Sequence, residues 1–169
     1  MQDEKKIPRG IRNNNPLNIR RAKTPWIGEV HFEKDDKSFC QFQTLELGWR
    51  AAFYLLRKKM LKYRSVSIKD IITEWAPPCE NHTDKYIEFV SRKIGVMAYE
   101  RFHPDNVRFM LLLGCAMCAY ENGAKYFPLS NPEWYKKARI GRLLNTDSFV
   151  LECYMRDLGD KIEVYDWKV

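Results

Sequence analysis

The sequence has no apolar run long enough to cross a bilayer, which takes about 20 consecutive apolar residues, so no membrane span is expected. Its opening residues, MQDEKKIPRG, are charged and hold no apolar stretch. No signal peptide is expected, and the chain reads as one synthesised in the cytoplasm. Histidine is scarce. The three present (His31, His82, His103) are scattered and stand beside no cysteine cluster, so neither a metal site nor another cofactor is expected. The five cysteines (Cys40, Cys79, Cys115, Cys118, Cys153) are odd in number and irregular in spacing, which argues against a disulfide framework. Cys115 and Cys118 form a CxxC, but inside an apolar stretch, where small buried thiols are the plainer reading. Internal repeats and low-complexity segments are absent.

What is present describes a folded domain. Hydrophobic residues make up 45% and aromatic residues 14% of 169 positions, enough for one sizeable core. We read residues 1–128 as the domain and 129–169 as a C-terminal helical extension packed on it. The formal charge of +7 favours a polyanionic neighbour: nucleic acid, an anionic membrane surface or an anionic cell wall. Charge alone does not choose among them.

Along the chain, residues 9–28 lack periodicity and are rich in turn formers, yet Ile11, Leu17, Ile19 and Trp26 would anchor them as an ordered loop. Val30–Glu33 and Ser38–Phe42 flank Lys34-Asp35-Asp36-Lys37 and suggest a short β-hairpin. Thr44 can cap a helix running to about Tyr63, with Leu47, Ala51, Leu55, Met60 and Tyr63 on or near one face. Ser67 and Asp70 match a capping box that opens a short helix ending at Trp75, before Pro77-Pro78. Thr83 would cap the next helix, with Tyr86, Phe89, Val90 and Ile94 as its apolar stripe and Gly95 as its stop. Pro104 would sit in the first turn of the one after. A last helix is expected from about Asp147 to Leu158. The sum is a mostly helical α+β domain with a small hairpin.

One side chain stands out. The segment from Asp105 to Glu121 (DNVRFMLLLGCAMCAYE) is apolar almost all round, as a buried central helix would be. Asn122 and Gly123 follow as stop signals. Glu121 would then lie at the C-terminal mouth of a core helix, partly desolvated and facing the negative end of its dipole. Both effects raise a carboxyl pKa, and a carboxyl that keeps its proton beside a cleft is what a general acid requires.

Four motifs in order carry a resemblance. Arg9-Gly10-Ile11-Arg12-Asn13-Asn14-Asn15-Pro16-Leu17-Asn18-Ile19-Arg20 resembles RGIRNNNPGNIR, the opening signature of the phage and prophage structural protein P5-like family, which is regarded as lysozyme-like. Phe42 with Gly48-Trp49-Arg50-Ala51-Ala52 resembles its F…GxRAL segment. Ile71 to Pro78 followed by Glu80 to Ile87 resembles IIxxWAPxxENDTxxYI, and Ala116 to Gly123 resembles AIIRHENG. The resemblance covers residues 9–123 and not the last forty or so. Two positions depart from it: Tyr120 stands where the family has His, and Leu17 where it has Gly. The ENG segment is also similar to the ESG of soluble lytic transglycosylases, and the NNNPLNIR loop to the NxFGIK loop of glucosaminidase-type wall hydrolases. There the loop follows the catalytic helix; here it precedes it. The resemblance thus implies a lysozyme-like domain with circularly permuted elements.

It further implies a peptidoglycan-degrading glycosidase, a muramidase or lytic transglycosylase, that acts on glycan strands at the bacterial cell envelope after release or as a virion component. Virion or secretion components are the other partners implied, and a monomer is expected. Glu121 is the candidate general acid, and Glu80 a possible second acid. The competing reading makes Glu121 a helix-end residue bound by the Arg/Asn-rich loop, and Glu80 a tie for Asn81 or the next helix's first turn. Asn15 and Asn18, which flank Pro16, are the candidate cleft-facing pair, with Asn81 and Tyr120 as further substrate contacts; Tyr86 reads as core. Two alternatives remain: the same fold without chemistry, as a virion or wall-binding structural protein, and nucleic-acid binding. The basic cluster Arg57-Lys58-Lys59 prompts the last, but it reads better as a solvated helix face.

Overall fold

The computed structural model describes residues 7–31 and 36–123. The expected helix at 147–158 and the extension 129–169 lie outside the described residues. Five helices form: α1 (Arg9–Arg12), α2 (Leu45–Met60), α3 (Ile68–Trp75), α4 (Thr83–Ile94) and α5 (Val107–Asn122). Each long helix begins or ends largely where its local chemistry dictates. The Thr44 hydroxyl accepts from Leu47 N at 3.3 Å and opens α2. Ser67 and Asp70 exchange both bonds of a capping box at the start of α3. Asn106 accepts from Phe109 N at 2.9 Å and opens α5. Gly95, in the left-handed conformation, closes α4.

Four details differ from the expectation. Helix α2 stops at Met60 because Lys62 N and Tyr63 N turn back to Lys59 O and Met60 O, three residues away, tightening the last turn. Its buried face centres on Trp49, Phe53, Leu56 and Met60, so Leu47, Leu55 and Tyr63 fall at the margin. Thr83 does not cap α4; His82 holds that position, and the Thr83 hydroxyl donates instead to Ala76 O, tying the Pro77-Pro78 loop to the helix. Pro104 precedes α5 rather than entering it, since Asn106 provides the cap.

Helix α5 is the centre of the domain and packs against α4, α2 and α1. Phe109 to Ala119 are all buried. Met110, Leu111, Leu113 and Met117 each sit at or below 1% exposure, and complete burial of such a side chain stabilises by about 1.5–3 kcal/mol. That term, repeated along the helix, decides its place over any local propensity.

The segment expected as a hairpin forms no regular strand among the described residues. It holds isolated bridges, Glu29 with Phe42 and Arg20 with Phe39. Val30 N donates to Gln41 O, and Cys40 N to Ile19 O. Residues 38–43 are thus shared between two neighbours, the 28–30 segment and the 19–21 segment, instead of forming a ladder with one.

Candidate functional site

The N-terminal loop folds over the C-terminal end of α5. Pro8 precedes α1, and the chain then coils back through two residues with positive φ, Asn14 and Asn18, both at 50°. Asparagine tolerates this conformation better than most L residues. Leu17 takes no positive φ and is completely buried, so the replacement of Gly by Leu there costs no backbone strain. Gly48 of α2 lies directly against the Asn14 carbonyl, where no Cβ would fit, and lets the loop rest on that helix.

The four asparagines divide their work. Asn13 Nδ2 donates to Asp36 at 3.0 Å, and Asn14 Nδ2 to Phe42 O at 3.0 Å. Asn15 is wholly buried, donating to Ile19 O and Cys40 O and accepting from Ile19 N, each at 2.9 Å. Asn15 therefore does not face the cleft as expected; a side chain saturated by backbone groups inside the loop has nothing left for a ligand. Asn18 does face it. Its Nδ2 donates to Glu121 Oε2 at 2.8 Å, across 103 positions of sequence.

Glu121 occupies the last turn of α5 and opens into a cleft of about 370 Å³. It is lined by Arg9, Leu17, Asn18, Arg20 and Phe39 from the N-terminal part of the chain, by residues 74–77, Glu80 and Asn81, and by Glu121. Burial pushes the Glu121 carboxyl above the ordinary range, while the Asn18 amide, the Tyr86 hydroxyl and the Arg9 charge pull it back in part. No arginine forms an ion pair with it among the described residues.

Tyr86 is core, as expected, at 2% exposure. Its hydroxyl has no aligned hydrogen-bond partner, yet it lies near enough to Glu121 for the two groups to shift each other's titration. Burial first, and the carboxylate second, push the phenol well above its usual range. The hydroxyl is close to the carboxylate but not aligned for a hydrogen bond. Tyr120 stacks on Tyr86 at 3.8 Å between centroids and tilts against Phe89. It does not line the cleft, so the structure assigns its ring to the α4–α5 contact and not to a substrate.

Glu80 lies in the cleft wall, well exposed, with its carboxylate 3.5 Å from the Arg20 guanidinium. The tie it makes is to the N-terminal loop and not to Asn81. Asn81 also lines the cleft, and its Nδ2 donates to Pro77 O at 3.2 Å. Sequence reasoning passed over Arg9, Arg20, Phe39, Glu74 and Trp75. Glu74 is clamped by Lys62 at 2.7 Å and Lys59 at 2.9 Å. Burial raises its carboxyl, but the two lysines outweigh this and hold it below its ordinary value. Four of these five residues lie inside the matched motifs, which was the signal available for them.

Cys115 and Cys118 are buried thiols in α5, and burial raises both, Cys118 to about 12. No group of three His, Cys, Asp or Glu side chains converges on a metal position among the described residues. No described helix is long and apolar enough to cross a membrane.

Fold and site together define a class: a mostly helical domain whose buried central helix delivers one carboxylate to an open cleft under an asparagine-rich loop. The chain is 37% identical over 136 residues to protein P5 of Pseudoalteromonas phage PM2, an alignment that covers 79% of each chain. It belongs to the phage P5-like family. No family model matches the sequence.

Proposed function

We propose that the protein is a peptidoglycan-degrading glycosidase with a lysozyme-like domain whose elements run in permuted order, and that Glu121 is its general acid. One observation carries the reading. Burial carries the Glu121 carboxyl above its ordinary value on balance, and it stands at the end of the core helix, open to the cleft and held by an uncharged amide. Cleavage of a β-1,4 bond between amino sugars requires a proton on the departing oxygen as positive charge builds on the ring. Glu121 supplies that proton and leaves as the carboxylate, which the Asn18 amide then stabilises.

The second carboxylate of most glycosidases has no strong claimant here. Glu74 is neutralised by two lysines, and Glu80 is solvated and paired with Arg20. This favours the one-glutamate route, in which the sugar's own N-acetyl group assists the departure. The oxygen that completes the reaction comes from water in hydrolysis, or from the sugar's own hydroxyl in transglycosylation.

A second reading keeps the fold without the chemistry, as a virion or wall-binding protein. Its support is the same Asn18–Glu121 bond, which also serves as a tie between loop and helix end. Digestion of purified sacculi separates the two. Wild type should release soluble fragments and Glu121→Gln should not, with mass spectrometry of the products reading water gained or an anhydro end. Equal release by both proteins would remove Glu121 from the chemistry. Wall binding without release by wild type would establish the structural reading.

A further inference from the structure

The charge of the cleft is distributed unevenly. Two guanidinium groups meet one phenyl ring: Arg9 Cζ lies 3.7 Å and Arg20 Cζ 5.1 Å from the Phe39 centroid. All three residues line the cleft that Glu121 opens into. A guanidinium laid on an aromatic face keeps its in-plane N–H donors for other groups, and its fork matches a carboxylate in geometry. Two like charges on one ring repel, so an anion that reaches both is favoured over a neutral group.

The acidic groups nearby leave this ledge largely available. Asp36 lies close enough to Arg9 for that charge to help lower its carboxyl, after burial, which raises it, and the loop hydrogen bonds, which lower it. Its oxygens are already taken by Asn13 Nδ2, Ser38 N and Phe39 N, each at 3.0 Å. Glu74 is satisfied from outside the cleft by Lys59 and Lys62. Glu80 pairs with Arg20 at 3.5 Å with both side chains more than 60% exposed, a pair that a better-placed carboxylate displaces at little cost.

We propose that the Arg9–Phe39–Arg20 ledge is a carboxylate subsite, by which the cleft selects amino-sugar chains bearing carboxylates over neutral ones of equal length. The inference rests on the glycan reading above and names what that glycan must carry. In peptidoglycan the group is the lactyl carboxylate of a bare strand or a carboxylate of its peptide stem.

The test compares two tetrasaccharides by calorimetry on the full chain in the Glu121→Gln background, which prevents cleavage. One alternates N-acetylglucosamine with N-acetylmuramic acid carrying free lactyl carboxylates; the other is neutral chitotetraose. The acidic sugar should bind about tenfold more tightly at low salt, equivalent to about 1.4 kcal/mol. Replacing Arg9 and Arg20 by Gln should erase the preference, with a cooperative thermal melt showing that the variant is folded. Equal affinities in the parent, or a preference that survives the double substitution, would overturn the subsite alone. If neither sugar binds, the glycan reading falls and takes the subsite with it. A single-stranded oligonucleotide binding more tightly than both sugars would overturn it in favour of a phosphate backbone.

Discussion

Asn15 should be the most costly asparagine of the loop to remove. Its amide donates to Ile19 O and Cys40 O and accepts from Ile19 N, all at 2.9 Å, with no exposure to solvent. Truncation to Ala leaves Ile19 O one partner, since Cys40 N also donates to it. Ile19 N loses its acceptor. A buried polar group stripped of its partner costs about 1–3 kcal/mol, so the Ile19 amide alone predicts a loss of about 1–3 kcal/mol, an appreciable share of the roughly 5–15 kcal/mol that holds a domain together. Urea unfolding followed by circular dichroism measures it directly. Asn15→Asp sharpens the test: it keeps an acceptor for Ile19 N but turns a carboxylate toward two carbonyls. Part of its lost stability should return as the pH falls and the acid gains a proton to donate. A loss below about 1 kcal/mol for Asn15→Ala, less than one stripped group should cost, would show that the loop does not depend on this side chain. Weakened sugar binding without destabilisation would return Asn15 to the cleft.

Three further outcomes are expected. Because burial raises the Glu121 carboxyl above 4.5, the folded state holds that proton more tightly than the unfolded one; the stability it contributes is complete below the unfolded value and lost as pH rises through the folded one. Wild type should therefore fall behind Glu121→Gln as pH increases from acid toward neutral, and parallel stability curves for the two would contradict this. Asn18→Gly keeps the positive φ but removes the amide that favours the carboxylate, so the Glu121 titration, read by carboxyl 13C shifts, should move to higher pH; a downward move refutes the assignment. Gly48→Ala drives a methyl group into the Asn14 carbonyl, an overpacking that should cost about 1–3 kcal/mol and lower the melting temperature, whereas an unchanged melting temperature would mean the loop is free to lift.

Much of the helical frame was legible because its signals are local. Thr44, the Ser67–Asp70 box and Gly95 each act within a few residues, and the all-round apolar character of 107–119 admits only a central position. The α2 face was misplaced by part of a turn because the chosen stripe counted Leu47 and Leu55 and passed over Trp49 and Phe53, the larger buried side chains. The hairpin expected over 30–42 lies partly outside the described residues; among those described, residues 38–43 find partners on two separate segments, and the 19–21 segment carries no alternating pattern to announce it. In the site, Glu121 was legible from the abrupt end of the apolar run. Asn15 and Asn18 were not separable, since both flank Pro16 and both are turn formers; only their long-range partners distinguish them. Arg9 and Arg20 were not marked out as cleft residues, because only Phe39, nineteen positions beyond Arg20, gathers their guanidinium groups at the cleft.

The placement of the acid depends on a division of labour between adjacent residues. Glu121 and Asn122 point about 100° apart around the same helix. Asn122 is buried, and its Nδ2 donates to Pro16 O at 2.8 Å and to Cys118 O at 3.1 Å. It pins the loop while its neighbour reaches the cleft, where Asn18 of that same loop meets the carboxylate. The remaining oxygens of Asn18 and Asn122 are buried without a hydrogen-bond donor, and both lie against the Cα of Gly10, where a Cβ would intrude on them. A short approach of this kind gives each oxygen a weak C–H contact in place of a full bond. Asn122 is fixed by its two bonds, whereas the Asn18 Oδ1 has no donor to hold it, so a turned Asn18 amide would accept from Glu121 when it is protonated, as the present one donates to it when it is ionised. Under the proposed reading, a partner that serves both states suits a group that gives up a proton and takes it back.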